Sequence, residues 1–212
     1  MAVATFKEWP KTPRLFRDIT ITEKLDGTNA AVQVVPVAEL DGWMTTGDEV
    51  VHFFDPQPIA VVDGFAVFAQ SRNRLITPGK ETDNYGFAGW VERNAASLVE
   101  DLGEGIHYGE WWGQGVARKY DAKFKTFSLF NTARYADIAF TTPSLDVVPV
   151  LYEGPFDESE IDDALIRLQH RGSVASPGFM KPEGVCVYHS SSRQVFKVTL
   201  DKNDLGKWEQ TA

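Results

Sequence analysis

Residues 19–35 alternate, turn, and alternate again. Ile19-Thr20-Ile21-Thr22-Glu23-Lys24 puts Ile19 and Ile21 on one face of a strand and Thr20, Thr22 and Lys24 on the other. Asp26-Gly27 follows with turn chemistry, and Ala30 to Val35 reads as a second strand. A lysine therefore stands at the end of a strand, on the face away from its apolar residues.

The rest of the chain continues in this manner. Ile59–Val62 and Phe65–Gln70 form a predicted hairpin closed by Asp63-Gly64, after a proline- and glycine-rich stretch, 36–58, that reads as a long irregular connection. The period changes over Tyr85 to Leu102, where Phe87, Trp90, Val91, Leu98 and Leu102 recur at helical spacing before Gly103. Strands are predicted at Ile106–Glu110, Thr126–Phe130 and Val147–Leu151. A second helix runs from Asp157 to about Gln169, with Asp157 as its cap, and strands close the chain near Gly184–Tyr188 and Val195–Leu200. The fold class is α+β, a largely antiparallel sheet system with few helices. No repeat or linker divides it, so one domain over residues 1–212 is expected.

Composition narrows the function classes. The net charge of -9 argues against a general polyanion binder, so any nucleic acid must meet a local basic patch and bind in a salt-dependent way. Arg118, Lys119, Lys123 and Lys125 are one candidate patch; a solvated loop is the other reading. Cys186 is the only cysteine, which rules out an internal disulfide and points to a reducing compartment, the cytosol. Between Val185 and Val187 it reads as a small buried residue. No apolar run is long enough to span a bilayer, and Met1 to Trp9 lacks a signal-peptide core.

Several clusters carry chemistry. Ser71-Arg72-Asn73-Arg74 follows a strand whose Ala66, Phe68, Gln70 and Arg72 share a face; an arginine fork there suits phosphate oxygens or a nucleic-acid end, and a polar strand end with two surface arginines is the equal alternative. Glu110 ends the strand Ile106 to Glu110, between glycines that allow close approach, and its carboxylate suits a ribose; Trp111 and Trp112 read as core, and His107 as structural or surface. In Phe127-Ser128-Leu129-Phe130-Asn131, Phe127 and Leu129 face one way and Ser128 and Phe130 the other; periodicity alone favours a wholly buried strand, and the other reading gives one ring to the core and the second as a π-face. Glu183 precedes a strand in Pro182-Glu183-Gly184-Val185, where it is either a carboxylate that helps position a divalent metal or a surface carboxylate after Pro182. In the last strand Phe196, Val198 and Leu200 share one face, leaving Val195, Lys197 and Thr199 on the other.

In this order the clusters resemble the covalent nucleotidyltransferases, most closely the ATP-dependent RNA ligases that seal nicks in duplex RNA. The resemblance runs from about Glu23 to Leu200 and lies in the ordered set rather than in any one cluster. Within Glu23-Lys24-Leu25-Asp26-Gly27-Thr28-Asn29 it implies that Lys24 is the AMP-accepting lysine. Asn29 matches the RNA ligase branch, where capping enzymes and most DNA ligases carry arginine. By the same resemblance Arg72 contacts phosphates and strand ends, Glu110 binds ribose and Phe130 stacks on adenine. Glu183 is associated with metal and Lys197 contacts the α-phosphate. The implied nucleotide-binding set is Glu23, Lys24, Asp26, Gly27, Asn29, Arg72, Glu110, Phe130, Glu183 and Lys197, with Lys24, Lys197 and Arg72 catalytic.

The implied fold is a ligase-type adenylation domain, antiparallel sheets around a nucleotide groove, without an appended C-terminal domain. The implied cofactors are ATP, with AMP carried on Lys24, and Mg²⁺ or Mn²⁺; the implied partners are RNA ends or nicked RNA duplex, and no membrane. A free amine must attack phosphorus, so Lys24 has to lose its proton first. Two departures from the family pattern stand out: Thr199 where a second lysine is common, and Asn131 where an aspartate is common. A DNA ligase, a guanylyltransferase and a degenerate binding module remain as alternatives.

Overall fold

The computed structural model describes residues 4–40, 43–46, 49–52 and 57–201. Among these residues, thirteen strands and four α-helices follow one another as β1 (Asp18–Lys24), β2 (Thr28–Pro36), β3 (Trp43–Thr46), β4 (Glu49–His52), β5 (Ala60–Val62), β6 (Phe65–Ser71), β7 (Leu75–Ile76), α1 (Phe87–Arg93), α2 (Ala95–Leu102), β8 (Gly105–Gly113), β9 (Lys125–Leu129), α3 (Thr132–Tyr135), β10 (Leu145–Val147), β11 (Val150–Pro155), α4 (Glu158–Arg171), β12 (Gly184–His189) and β13 (Gln194–Thr199). Two larger sheets result. The first runs β11-β1-β12-β13, and the second runs β10-β9-β8-β2-β6-β5 with β7 beside β6. The predicted α+β class holds, and the β9–β10 pair is parallel in an otherwise antiparallel system.

Each sheet is covered on one face by helix. On the first, Ile19, Ile21, Val185 and Val187 meet Ala164 and Leu168 of α4. Burial of aliphatic side chains of this size stabilises by roughly 1.5–3 kcal/mol each. The helix begins where the sequence placed it: the Asp157 carboxylate accepts from the Ser159 N–H at 3.0 Å, and Gly172 at φ 80 ends it. On the second sheet, Phe87, Trp90, Val91, Leu98 and Leu102 pack on Ala30, Val32, Val34, Val67, Trp111 and Phe127.

The structure corrects several sequence expectations. The helix expected over Tyr85 to Leu102 is two, broken at Asn94, whose side-chain amide donates to the Trp90 carbonyl at 2.8 Å while its backbone leaves the helical region at φ -115. A short amide that bonds the backbone competes with the helix's own ladder. Val147–Leu151 is likewise two strands. β10 ends in the second sheet and β11 begins in the first, with Val148 and Pro149 crossing between them. The Pro149 carbonyl accepts from Glu23 N–H at 2.9 Å, which ties the crossover to β1. Within 36–58, where an irregular connection is expected, β3 pairs with β4 because the threonines and valines of those strands favour extended backbone, and 41–42, 47–48 and 53–56 lie outside the described residues. Phe196, expected to be inward, is 51 % exposed, since only Val198 and Leu200 of that face reach the α4 core.

Candidate active site

The two sheets turn their uncovered faces to each other across the β1–β2 turn. Beneath that turn Leu25, Trp112, Tyr120, Val148 and Phe179 form a third apolar cluster that joins the sheets. Gly27 allows the close approach: a Cβ there would lie 2.4 Å from the Trp111 carbonyl oxygen. The Gly27 N–H donates to Glu110 Oε1 at 3.0 Å, so the turn is fastened to β8. Gly184 plays a similar part on the other side, since a Cβ would meet the Val198 carbonyl oxygen at 2.2 Å.

Strand alternation puts Thr22, Lys24, Cys186 and Lys197 on the uncovered face of the first sheet, with Cys186 paired between Thr22 and Lys197. Lys24 Nζ donates to Glu183 Oε2 at 2.7 Å, both side chains being partly buried. Burial pushes the Cys186 thiol up; Lys24 and Lys197 draw it down, whereas Glu183 and Glu110 push it further up. Four of the expected site residues therefore surround this cysteine, and Cys186 lines the cleft, half-buried, where the sequence suggested the core.

Glu110 supplies the second wall. Burial pushes its carboxyl up to about 7, with the Gly27 N–H and the Lys24 ammonium drawing it down and the Glu183 and Asp26 carboxylates pushing it up. Its second oxygen has no partner among the described residues, which leaves an acceptor free on the cleft side. Asn29 pairs with Glu110 across β2 and β8, and Ser71 pairs with Ala30, so Arg72 stands one step beyond in the neighbouring row. Arg72 is exposed and makes no hydrogen bond or ion pair among the described residues. Phe130, 41 % exposed, is held by its N–H to the Tyr108 carbonyl at 2.9 Å, while Phe127 and Leu129 are buried and Ser128 accepts from Trp112 Nε1 at 2.8 Å.

Other expectations fall differently. Glu23 shares the face of Ile19 and Ile21 and points away from Lys24. It is 1 % exposed, and its Oε2 accepts from the N–H groups of Val174 and Ala175 at 2.8 and 3.0 Å. It organises the loop after α4 and does not face the cleft. Trp111 and Trp112 are core, as expected. His107 is buried and structural, held by the Tyr135 hydroxyl and the Gly103 carbonyl, and burial lowers its pKa to about 4. Asn131 caps α3 by accepting from Arg134 N–H at 3.1 Å, work an aspartate does equally well. Thr199 donates its hydroxyl to the Asp201 carbonyl at 2.8 Å.

Sequence reasoning missed Arg118 as a member of the site. Its Nε donates to Asp26 Oδ2 at 2.7 Å, its Nη1 donates to the Lys181 carbonyl at 3.2 Å, and its Nη2 pairs with Asp201. One guanidinium thus holds the segments that carry Lys24, Glu183 and Lys197. Tyr120 assists by accepting the Asp26 N–H on its hydroxyl at 2.9 Å. Both residues hang from a loop in which Ala117, Lys119, Tyr120 and Asp121 have φ of 40, 63, 51 and 50. Left-handed backbone at non-glycine residues costs on the order of 1 kcal/mol or more each, so such a run persists only where surrounding contacts hold it. The only sequence signal for Arg118 was the basic run, and that patch is broken up: Arg118 is paired internally, and Lys125 donates to the Tyr85 carbonyl at 2.6 Å.

With this geometry in hand, the chain matches the RNA ligase family over residues 17–199. It belongs to that family. Solved structures with the same fold include a mutant of Naegleria gruberi RNA ligase with ATP and Mn (TM-score 0.53, 15% identity, 87% of this chain and 50% of that one). A form of the same enzyme with PPi gives TM-score 0.52 and 16% identity over 86% of this chain and 49% of that one. Another mutant, with AMP and Mn, gives 0.50 and 14% over the same shares. This RNA ligase family member spans about half the length of those proteins. No curated protein matches it in sequence.

Proposed function

We propose that this chain is the adenylating part of an ATP-dependent RNA ligase, with Lys24 as the nucleophile. The observation that carries this is the 2.7 Å pair of Lys24 and Glu183 in a cleft shared with Glu110 and Lys197. Lys24 Nζ first gives its ammonium proton to Glu183 Oε2, 2.7 Å away. The freed lone pair attacks the α-phosphorus of ATP, the bond from that phosphorus to the pyrophosphate oxygen breaks so that pyrophosphate leaves, and the proton remaining in excess on the nitrogen passes to solvent. Lys197 faces the α-phosphate, the free oxygen of Glu110 takes a ribose hydroxyl, and Phe130 offers its face to adenine. AMP then passes from Lys24 to a 5′-phosphate, and a 3′-hydroxyl displaces it. Arg72 meets the strand end.

The donor set fits a hard divalent cation such as Mg²⁺ or Mn²⁺, since Glu183 and Asp26 offer carboxylate oxygens near Lys24. Among the described residues no three acidic, histidine or cysteine side chains stand close enough to hold an ion alone. A cation carried by the nucleotide phosphates, with Glu183 as its protein oxygen, matches that arrangement. When bound it offsets phosphate charge and polarises the leaving oxygens.

No described helix is long and apolar enough to cross a membrane, and the lone cysteine suits a reducing cytoplasm. The test is incubation with labelled ATP and Mg²⁺ or Mn²⁺, followed by a denaturing gel. Label on wild type and none on Lys24→Ala is expected; label that survives Lys24→Ala assigns the nucleophile elsewhere.

A further inference from the structure

The segment that leads into β1 is unlike the rest of the molecule. Residues 4–17 have no regular secondary structure, and all are exposed. Phe6, Trp9 and Phe16 are 94 %, 86 % and 79 % exposed. Four cations (Lys7, Lys11, Arg14 and Arg17) against Glu8 give the segment +3 in a chain of net charge -9. None of the four cationic side chains has a hydrogen-bond or ion-pair partner among the described residues. Large rings left in water beside unpaired cations point to a ligand that is anionic and has flat apolar faces.

The segment is attached firmly at its inner end. Arg14 N–H donates to Ser191 Oγ at 3.1 Å, His189 Nε2 meets the Leu15 carbonyl at 2.6 Å, and the Phe156 N–H donates to the Arg17 carbonyl at 3.0 Å. Pro10 and Pro13 fix φ and disfavour helix in the residues before them, so the outer part is pre-disposed to extended backbone. In that conformation successive cations lie roughly 10–13 Å apart, a span that a few phosphates of one strand cover. Asp18 and Lys24 are the two ends of β1, about 20 Å apart at the rise of a strand. A strand running from the segment to the cleft would thus have several nucleotides between them.

We propose that residues 4–17 are a docking strip for single-stranded polynucleotide, with Lys7, Lys11, Arg14 and Arg17 meeting phosphates and Phe6 and Trp9 stacking on unpaired bases. This rests on the ligase reading and names how its nucleic-acid substrate is gripped. Rings exposed beside a phosphate track are the usual means of holding a single strand without sequence preference, and paired bases offer them no face. A general polyanion site elsewhere is disfavoured by the net charge, which makes a local strip the economical solution.

The experiment titrates the full chain with a labelled single-stranded RNA of about a dozen nucleotides, a length that covers one such binding strip, at several salt concentrations. In parallel, lysyl-AMP formation is measured without RNA. Changing Lys7, Lys11, Arg14 and Arg17 together to Gln is expected to weaken binding at least tenfold and to make the salt slope shallower by about 3, four phosphate contacts at the single-strand value. Phe6→Ala with Trp9→Ala should weaken it roughly tenfold with the slope unchanged, and Trp9→Phe should remove part of the fluorescence quenching seen on titration. Wild-type affinity and slope in the charge variant overturns the proposal. Binding indifferent to the Phe6 and Trp9 changes also overturns it, the rings then serving a protein contact. An equal fall in lysyl-AMP formation overturns it too, by placing the segment in the nucleotide site. If wild type forms no lysyl-AMP, the ligase reading fails, while the RNA titration still decides whether this strip binds a strand.

Discussion

The two faces of the first sheet hold neighbouring residues to opposite ends. Glu23 and Lys24 are adjacent on β1, yet Glu23 is sealed beneath α4 and its following loop, while Lys24 looks into the cleft toward Glu183. The covered face is an apolar interior with one carboxylate, satisfied by two backbone N–H groups on one oxygen and unpartnered on the other. The open face is a concentration of charge: Lys24, Lys197, Glu183 and, from the second sheet, Glu110. Similar residue types thus become scaffold or chemistry according to which side of a pleat they occupy. Burial fixes one, and accessibility leaves the other free to react.

The comparison breaks most sharply at Lys24. Lys24→Ala should lower adenylation by at least about a thousandfold, because no other described lysine stands in its position, and should move Tm by no more than a degree or two, since a partly exposed ion pair is worth little. Glu23→Ala should do the reverse. Removing a buried carboxylate that organises a loop should cost on the order of 3 kcal/mol, or roughly 6–12 °C in Tm for a chain of this size. Adenylation per folded molecule should stay within a few-fold of wild type. A Glu23→Ala protein of native stability would mean the loop after α4 holds itself.

Arg118 sharpens the comparison, because it belongs to neither sheet's face and connects the segments at the mouth of the cleft. Arg118→Ala should lower adenylation ten- to a hundredfold through misplacement of the Asp26 turn, a loss of the size that errors near 1 Å produce. Arg118→Lys should recover little, since an ammonium cannot span Asp26, the Lys181 carbonyl and Asp201 as a fork does. Initial rates of lysyl-AMP formation measure both. Wild-type rates for Arg118→Ala would remove it from the site.

Much of this was legible in residue order. The period of two that set Lys24 opposite Ile21 also set Glu23 beside Ile21, so its burial was readable from alternation, although the family resemblance grouped it with the nucleotide site. The crossover between the sheets was marked by Pro149, which cannot continue a strand's ladder. Arg118 was not legible, because its aim depends on four left-handed residues that no local pattern announces. Nor was the exposure of Phe196, which depends on how far α4 reaches across the sheet rather than on alternation within β13. Asn94 falls between these cases: its capping chemistry is a known signal, hidden within an otherwise helical period.

The smallest effect tests whether the open face carries a cost in stability. Glu110 is pushed up to about 7 from an ordinary 4.5, so the folded protein holds this proton over a range of pH in which the unfolded chain has released it. Stability therefore falls as pH rises from about 4.5 through 7, and levels off above, where both states are ionised. The full shift corresponds to roughly 3 kcal/mol; water reaching the cleft reduces it, and a fall of about 1–2 kcal/mol between pH 5 and 8 is expected. Glu110→Gln retains an acceptor for the Gly27 N–H and cannot ionise, so its stability should lose this part of the slope. Urea unfolding at several pH values makes the comparison. The same substitution should flatten the pH dependence of KM for ATP near neutrality if the free oxygen of Glu110 meets the ribose. If Glu110→Gln keeps the wild-type slope in both measurements, the proton belongs to another group, and the open face is less strained than the burial of Glu110 implies.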